Sequence, residues 1–304
     1  MPSTCQATVF YDEVGEASAR LYALAAPTIG DRLLTVDELA ECRFDCRVEG
    51  PTCRYSTTLQ SRITLKHRGV TTWGDIPAVM AEGILPDPCP WSSELPFLYR
   101  IVGAVRLGER TVAEIDQTFG IRPLSTVRNR IVLNGKTWVP RGVELLNVPQ
   151  YSLSDWRGSA TAMCVTEPDD ELCRESSEIG VVMMAALPAA QKTSGQTVRR
   201  LSQYPSVAFI ELNCPVLESD RLNARNTLFL KRMSRTSSSQ DKPDTYIWDF
   251  HDGDFTPASD IFRLTPVIVR RPVEKPESLE SARAACDALQ RDLAGTYDVA
   301  GYFA

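Results

Sequence analysis

The sequence predicts two domains, an antiparallel β-sandwich over residues 1–134 followed by a compact α/β domain over residues 135–304. Three observations predict this. The first stretch carries short, partly alternating β-branched runs separated by turn formers. The second carries continuous apolar runs separated by helical patterns, as expected of parallel strands covered on both faces. The length of 304 residues accommodates two cores, and 43% hydrophobic with 24% charged residues lies near the average for a packed globular protein.

In the first stretch the strand candidates are ARLYALA (19–25), RFDCRV (43–48), SRITLKH (61–67), AVMAEGIL (78–85), FLYRIVGAVRL (97–107) and RTVAEIDQTFGI (110–121). Turn formers stand between them in EGPT (49–52), HRGVTTWGD (67–75) and LPDPCPWSSELP (85–96). LTVDELAEC (34–42) reads equally as a short helix or as an edge strand with a polar face.

From residue 135 the strand candidates are WVPRGVELL (138–146), TAMCVT (161–166), VVMMAAL (181–187), VAFIELN (207–213), TLFLKRM (227–233), TYIWDF (245–250), PVIVRR (266–271) and VAGYFA (299–304). Helices are expected over 169–180, 197–204 and 278–295. Acids at Asp169 and Asp170 suit the positive end of the first, and Gly180 suits its close. Ser278 suits the start of the last, whose apolar residues Leu279, Ala282, Ala285, Cys286 and Leu289 keep helical spacing. Eight strands in about 170 residues is tighter than the ~200 of a small barrel, so some helices must be short or absent. The polar stretch 233–244, MSRTSSSQDKPD, reads as a loop.

A net charge of −6 without a basic cluster argues against nucleic-acid partners, because phosphate binding needs a concentrated basic face. The N-terminal residues have neither a basic nor an apolar leader-like region, and no apolar run approaches the ~20 residues of a membrane helix. A cytoplasmic protein with no membrane partner is expected. The nine cysteines (5, 42, 46, 53, 89, 164, 173, 214, 286) are an odd number and read as reduced. Cys42, Cys46 and Cys53 lack the second ligand pair of a zinc site, so small buried side chains are expected there, with no metal and no cofactor.

Three segments carry a family resemblance. PCPWSSELPFLYRI (88–101) resembles the W-S-P-E-x-P-x-L-Y stretch of family 2 glycoside hydrolases, the group of β-galactosidases, β-glucuronidases and β-mannosidases. FGIRPLSTVRNRIVLNGKTWVPRGVELL (119–146) resembles that family's F-G-x-R, L-N-G-K and R-G-V junction, with the parts in order. ELCRESSEIGVVMMAAL (171–187) is similar to its E-x-C-D-E-L-G stretch before barrel strand 3. The resemblance implies an immunoglobulin-like β-sandwich followed by a compact (β/α)8 TIM-type barrel, and a retaining glycosidase site. The family's N-terminal sugar-binding jelly roll has no counterpart in these residues.

Retaining hydrolysis needs two carboxyl groups about 5–5.5 Å apart, one as nucleophile and one as acid/base. In the family the acid/base is the Glu of an Asn-Glu pair closing strand 4. YPSVAFIELNCP (204–215) aligns with that stretch and puts Cys214 and Pro215 there. The nucleophile closes strand 7, where TPVIVRRP (265–272) places Arg271, a permanent cation with no nucleophilic lone pair. The family's R-G-V-N is here RGVE, ending in Glu144. The expectation is therefore a protein of this type without catalysis, binding a carbohydrate or other ligand at the barrel mouth.

Other candidates lie near strand C-terminal ends, where barrel sites assemble. Glu144, Glu167, Glu211 and Asp249 are acids, Arg141 and Arg271 their candidate partners, and Asn213 shares a strand face with Glu211. If Glu211 points inward it needs a charged partner, which Arg270 or Arg271 could supply. His251, between Asp249 and Asp252, marks a polar loop rather than a ligand set. Trp248, Trp156 and Tyr151 are candidate sugar platforms and equally candidate core. Two further readings compete, an active glycosidase using relocated carboxylates such as Glu144 and Glu211, and a structural or oligomerisation protein. The sequence leaves oligomeric state open.

Overall fold

A computed structural model describes residues 3–4, 7–29, 32–74, 76–144, 151–188, 195–212, 221, 224, 226–233, 243–250, 259–271 and 276–304. The chain divides into two compact units, Met1–Ile121 and Arg122–Ala304. The division falls before residue 134, because the segment between belongs with the second unit.

The first unit comprises β1 (Ser3–Thr4), β2 (Ala7–Asp12), β3 (Ser18–Ala25), β4 (Thr28–Ile29), β5 (Arg32–Leu33), α1 (Val36–Ala40), β6 (Cys42–Thr52), β7 (Ser61–Trp73), β8 (Ile76–Pro86), β9 (Leu98–Leu107) and β10 (Arg110–Phe119). Eight strands form one continuous sheet in the order β1-β10-β9-β6-β7-β8-β3-β2. All its neighbours are antiparallel except β1 with β10. The sheet curls around a main core, with a smaller cluster of Phe10, Leu24, Trp73 and Ala78 beside it. Leu21, Phe44, Leu65, Ala81, Ile101 and Ile115, from six strands, are buried together, and the Ala7 N–H donates to the Gln117 side-chain oxygen Oε1 at 3.2 Å, linking β2 to β10. Alternation sets this up: β6 buries every second residue.

Two expected turns are strand. EGPT lies inside β6, where the register shifts between Glu49 and Thr52. Gly50 there has φ +132°, and a Cβ would stand 3.1 Å from the Leu98 carbonyl oxygen and the Tyr99 ring. HRGVTTWGD mostly continues β7 through a bulge at His67 and Gly69, the chain turning only at Gly74. LTVDELAEC resolves as helix. Thr35 accepts from the Glu38 N–H while the Glu38 carboxylate accepts from the Thr35 N–H.

The second unit opens with an antiparallel sheet of β11 (Leu124–Val127), β12 (Arg130–Leu133) and β13 (Lys136–Trp138). Asn134 (φ 51°) and Gly135 (φ 76°) make the tight turn between β12 and β13. A closed parallel barrel follows, of β14 (Arg141–Glu144), β15 (Ala162–Thr166), β16 (Met183–Ala186), β17 (Val207–Glu211), β18 (Leu228–Arg232), β19 (Thr245–Asp249), β20 (Val267–Arg270) and β21 (Gly301–Phe303). Each strand falls within one of the eight apolar runs of the sequence. The described helices are α2 (Leu153–Ser159), α3 (Asp170–Ile179), α4 (Gly195–Ser202), α5 (Ser259–Leu264) and α6 (Leu279–Leu293). Four are ten residues or shorter, which is how the barrel fits so short a chain.

Caps fix the helix ends. Asp169 accepts from the Leu172 N–H to start α3, Gly180 ends it at φ 93°, and Ser278 with Ser281 starts α6. β14 meets β21 to complete the ring, and Gly142 is required there because a Cβ would lie 2.7 Å from the Phe303 ring. Buried Arg122 donates from Nη2 to the Val207 carbonyl at 2.9 Å, and also to the carbonyls of Pro205 and Asn226. The arginine of the F-G-x-R junction thus holds the start of β17.

Candidate ligand site at the C-terminal end of the barrel

Strand alternation decides which side chains enter the barrel. Val143, Met163, Ile210 and Phe229 pack outward with Trp156, Val198, Leu201 and Leu279 of the helices, and Tyr246, Trp248, Val267 and Val269 pack outward with Phe262, Cys286 and Leu289. Their strand neighbours face inward. At the N-terminal end this sends Phe209 against Trp138, stacked at 5.6 Å and 12°. At the C-terminal end it sends in Glu144, Glu211, Arg232, Asp249 and Arg270.

These five charged residues form one ion cluster. The Arg270 side chain is 2% exposed and donates from Nε to Asp249 Oδ1 at 2.6 Å. Its Nη1 donates to Glu144 Oε2 at 3.3 Å and stands 3.7 Å from Glu211 Oε2. Arg232 Nε donates to Glu211 Oε1. Glu211 is 1% exposed, whereas Arg232 (47%), Glu144 (44%) and Asp249 (31%) reach solvent. Arg270 and Glu211 therefore make the floor of the site, and the other three its rim.

Burial pulls the Arg270 guanidinium down, but Asp249, Glu211 and Glu144 outweigh it and hold the group above its ordinary value. Cys164, one strand from Glu144, is buried beside the cluster. Burial first, and then Glu144, push its thiol well above the usual range, so it is a neutral wall and not a nucleophile. Glu211 Oε2 is buried and accepts no hydrogen bond from the described residues.

The structure brings together three of the sequence candidates, Glu144, Glu211 and Asp249. It gives Glu211 the partner Arg270 rather than Arg271. Arg271 leaves the barrel, lying 4.8 Å over the Phe250 ring and 3.6 Å from Asp292 of α6, because it is one residue past the inward Arg270. Arg141 also points outward, donating to Asp287 Oδ1 at 2.6 Å and to Gln290. Glu167 is exposed on the turn after β15, where its N–H donates to the Ala186 carbonyl.

The two tryptophans are core, and Tyr151 is half-buried at its edge. Trp248 packs edge-on to Phe250, Phe262 and Tyr297 at 5.1–5.7 Å, Trp156 is buried in α2 against the barrel wall, and the Tyr151 hydroxyl donates to the Glu277 carbonyl. Asn213, Cys214, Pro215, His251 and most of the 233–244 loop lie outside the described residues. Arg232 escaped the sequence reading. Its signal was present in TLFLKRM, where Leu228, Leu230 and Arg232 share one strand face.

A curled antiparallel sheet followed by a closed parallel barrel with a charged C-terminal end defines a mixed β and α/β barrel protein. Its fold is that of solved family 2 glycoside hydrolases. A Bifidobacterium dentium β-glucuronidase complexed with coumarin-3-O-glucuronide matches with TM-score 0.63 and 14% identity, over 100% of this chain and 60% of that one. A family 2 glycosyl hydrolase from Bacteroides cellulosilyticus matches with TM-score 0.63 and 12% identity, over 98% and 45%. A putative β-galactosidase from Bacteroides fragilis matches with TM-score 0.57 and 12% identity, over 98% and 54%. The chain thus spans about half the length of these structures. No family model and no curated protein matches the sequence. Among the described residues no helix is long and apolar enough to cross a membrane.

Proposed function

We propose that this chain is a non-catalytic protein of the family 2 glycoside hydrolase type that binds a carbohydrate at the C-terminal end of its barrel. The observation that carries the reading is buried Arg270, bonded to Asp249 and Glu144 and ion-paired with Glu211. A retaining glycosidase needs one carboxylate available to an anomeric carbon and another able to deliver a proton. Here the inward carboxylates face a permanent cation, and the sequence offers Cys214, Pro215 and Arg271 at the family's catalytic positions. The solved structures of similar fold supply the ligand class, and the curled sheet stands as the counterpart of the family's immunoglobulin-like domain.

One observation favours a second reading. Glu144 and Glu211 approach the same Arg270 nitrogen, at 3.3 and 3.7 Å, which sets two carboxylates side by side as a relocated glycosidase pair would be. A panel of aryl β-galactosides, β-glucuronides and β-mannosides separates the two. The non-catalytic reading expects no release of aryl alcohol above buffer. Hydrolysis that disappears in Glu211→Gln and Glu144→Gln but survives Glu167→Gln would establish the second. A glycan array with thermal-shift follow-up tests binding, since a ligand specific to the folded state raises its apparent stability; no hit would leave the barrel as a structural element.

A further inference from the structure

The cluster sets three carboxylates, Glu144, Glu211 and Asp249, against two guanidiniums, Arg232 and Arg270. Among the described residues the formal balance is one uncompensated negative charge, carried at a floor nearly closed to water. Its deepest acceptor, Glu211 Oε2, is buried without a hydrogen-bond donor from the described residues, its nearest cation being Arg270 Nη1 at 3.7 Å. A buried carboxylate oxygen in that state carries an uncompensated desolvation penalty until a donor reaches it.

A ligand that completes this site must therefore bring an N–H or O–H donor to Glu211 and should also bring positive charge. A neutral hydroxyl supplies only the first. An anion brings no positive charge and meets Glu144 and Asp249 on the rim. The Cys164 thiol, raised by burial and further by Glu144 and Glu211 against the opposing pull of Arg270, reports the same negative environment.

We propose that the cluster recognises a primary ammonium group, with Glu211 as its deep acceptor and Glu144 and Asp249 as flanking carboxylates. Resting on the carbohydrate reading above, the ligand class is an amino sugar. The ammonium donates to the carboxylates, and no covalent bond forms or breaks.

The test is isothermal titration of the full chain with the β-1,4-linked disaccharide of glucosamine, with its N-acetylated form, with cellobiose as the neutral counterpart, and with spermidine as an ammonium source that is not a sugar. The glucosamine disaccharide is expected to bind about tenfold or more tighter than cellobiose, a gap of about 1.4 kcal/mol. Glu211→Gln should remove that preference, and Glu144→Gln, at a rim position that tolerates the change, should weaken it even if Glu211→Gln fails to fold. Arg232→Gln, which makes the cluster more negative, should tighten binding. Equal binding of cellobiose and the amino disaccharide, or weaker binding by Arg232→Gln, overturns the ammonium assignment while leaving the carbohydrate reading intact. Spermidine binding without any sugar binding upholds the ammonium site and sinks the carbohydrate reading. Silence from all four ligands overturns both.

Discussion

Arg270 and Glu211, two nearly buried side chains from opposite parts of the barrel wall, hold an ion pair of 3.7 Å, and each is tied to the rim by a second charge. A buried pair is costly to form and more costly to break, because removing one member leaves the other charged without its counter-ion. Arg270→Met should destabilise the barrel by about 3–5 kcal/mol, and Arg270→Met combined with Glu211→Met should recover most of the loss. Urea denaturation of the single and double variants checks this. A single variant within about 1 kcal/mol of the parent contradicts it.

Gly142 and Phe303 make a second contact that leaves no room for change. Gly142→Ala should cost about 1–3 kcal/mol through overpacking against the aromatic ring. Adding Phe303→Leu removes ring atoms from the clash, so the double variant should be more stable than the sum of the two single losses. A thermal-denaturation double-mutant cycle measures the coupling, and simple additivity would disprove the contact.

Arg122 serves three backbone carbonyls near the start of β17. Arg122→Met should cost on the order of 3 kcal/mol, since buried acceptors are left without donors. Arg122→Lys should rescue little, because a single ammonium cannot reproduce a planar fork of donors. Equal stability of the lysine variant and the parent, measured by chemical denaturation, would refute the clamp.

Thiol chemistry gives a prediction that needs no mutation. Burial, aided by nearby carboxylates, pushes Cys46 and Cys173 up to about 12 and Cys286 to about 11, and it raises Cys164 well above the ordinary range. Because the thiolate is the reactive form, these four should resist iodoacetamide at about pH 8 in the native protein. Among the described cysteines, half-buried Cys53 and Cys89 should label first. Mass spectrometry of labelled peptides assigns the order, and early labelling of Cys46 or Cys173 would contradict the burial.

The eight barrel strands were legible because each is a continuous apolar run, a pattern that parallel strands covered on both sides must show. The capped ends of α3 and α6 were legible for the same local reason, in Asp169, Gly180 and Ser278. The curled sheet was less so. EGPT and HRGVTTWGD carry turn residues, yet Gly50 and Gly69 use their positive φ for irregularities within long strands, a choice made by cross-strand pairing. Within the site, Glu211 could be recognised as an acid in need of a partner. Which neighbouring arginine enters the barrel was not readable, because Arg270 and Arg271 point opposite ways and a one-residue shift in register exchanges them. Trp248 likewise has the composition of a ligand platform but the strand parity of core.

The pairing of β14 with β21 joins Arg141 and Gly142 to Tyr302 and Phe303, residues far apart in the chain. Until β21 has been synthesised, β14 has an exposed hydrogen-bonding edge, and closing so long an intervening segment carries a loop-entropy penalty. The eighth barrel strand is thus the one that removes the template for association with another chain, and a nascent barrel stalled before it is the form most exposed to aggregation.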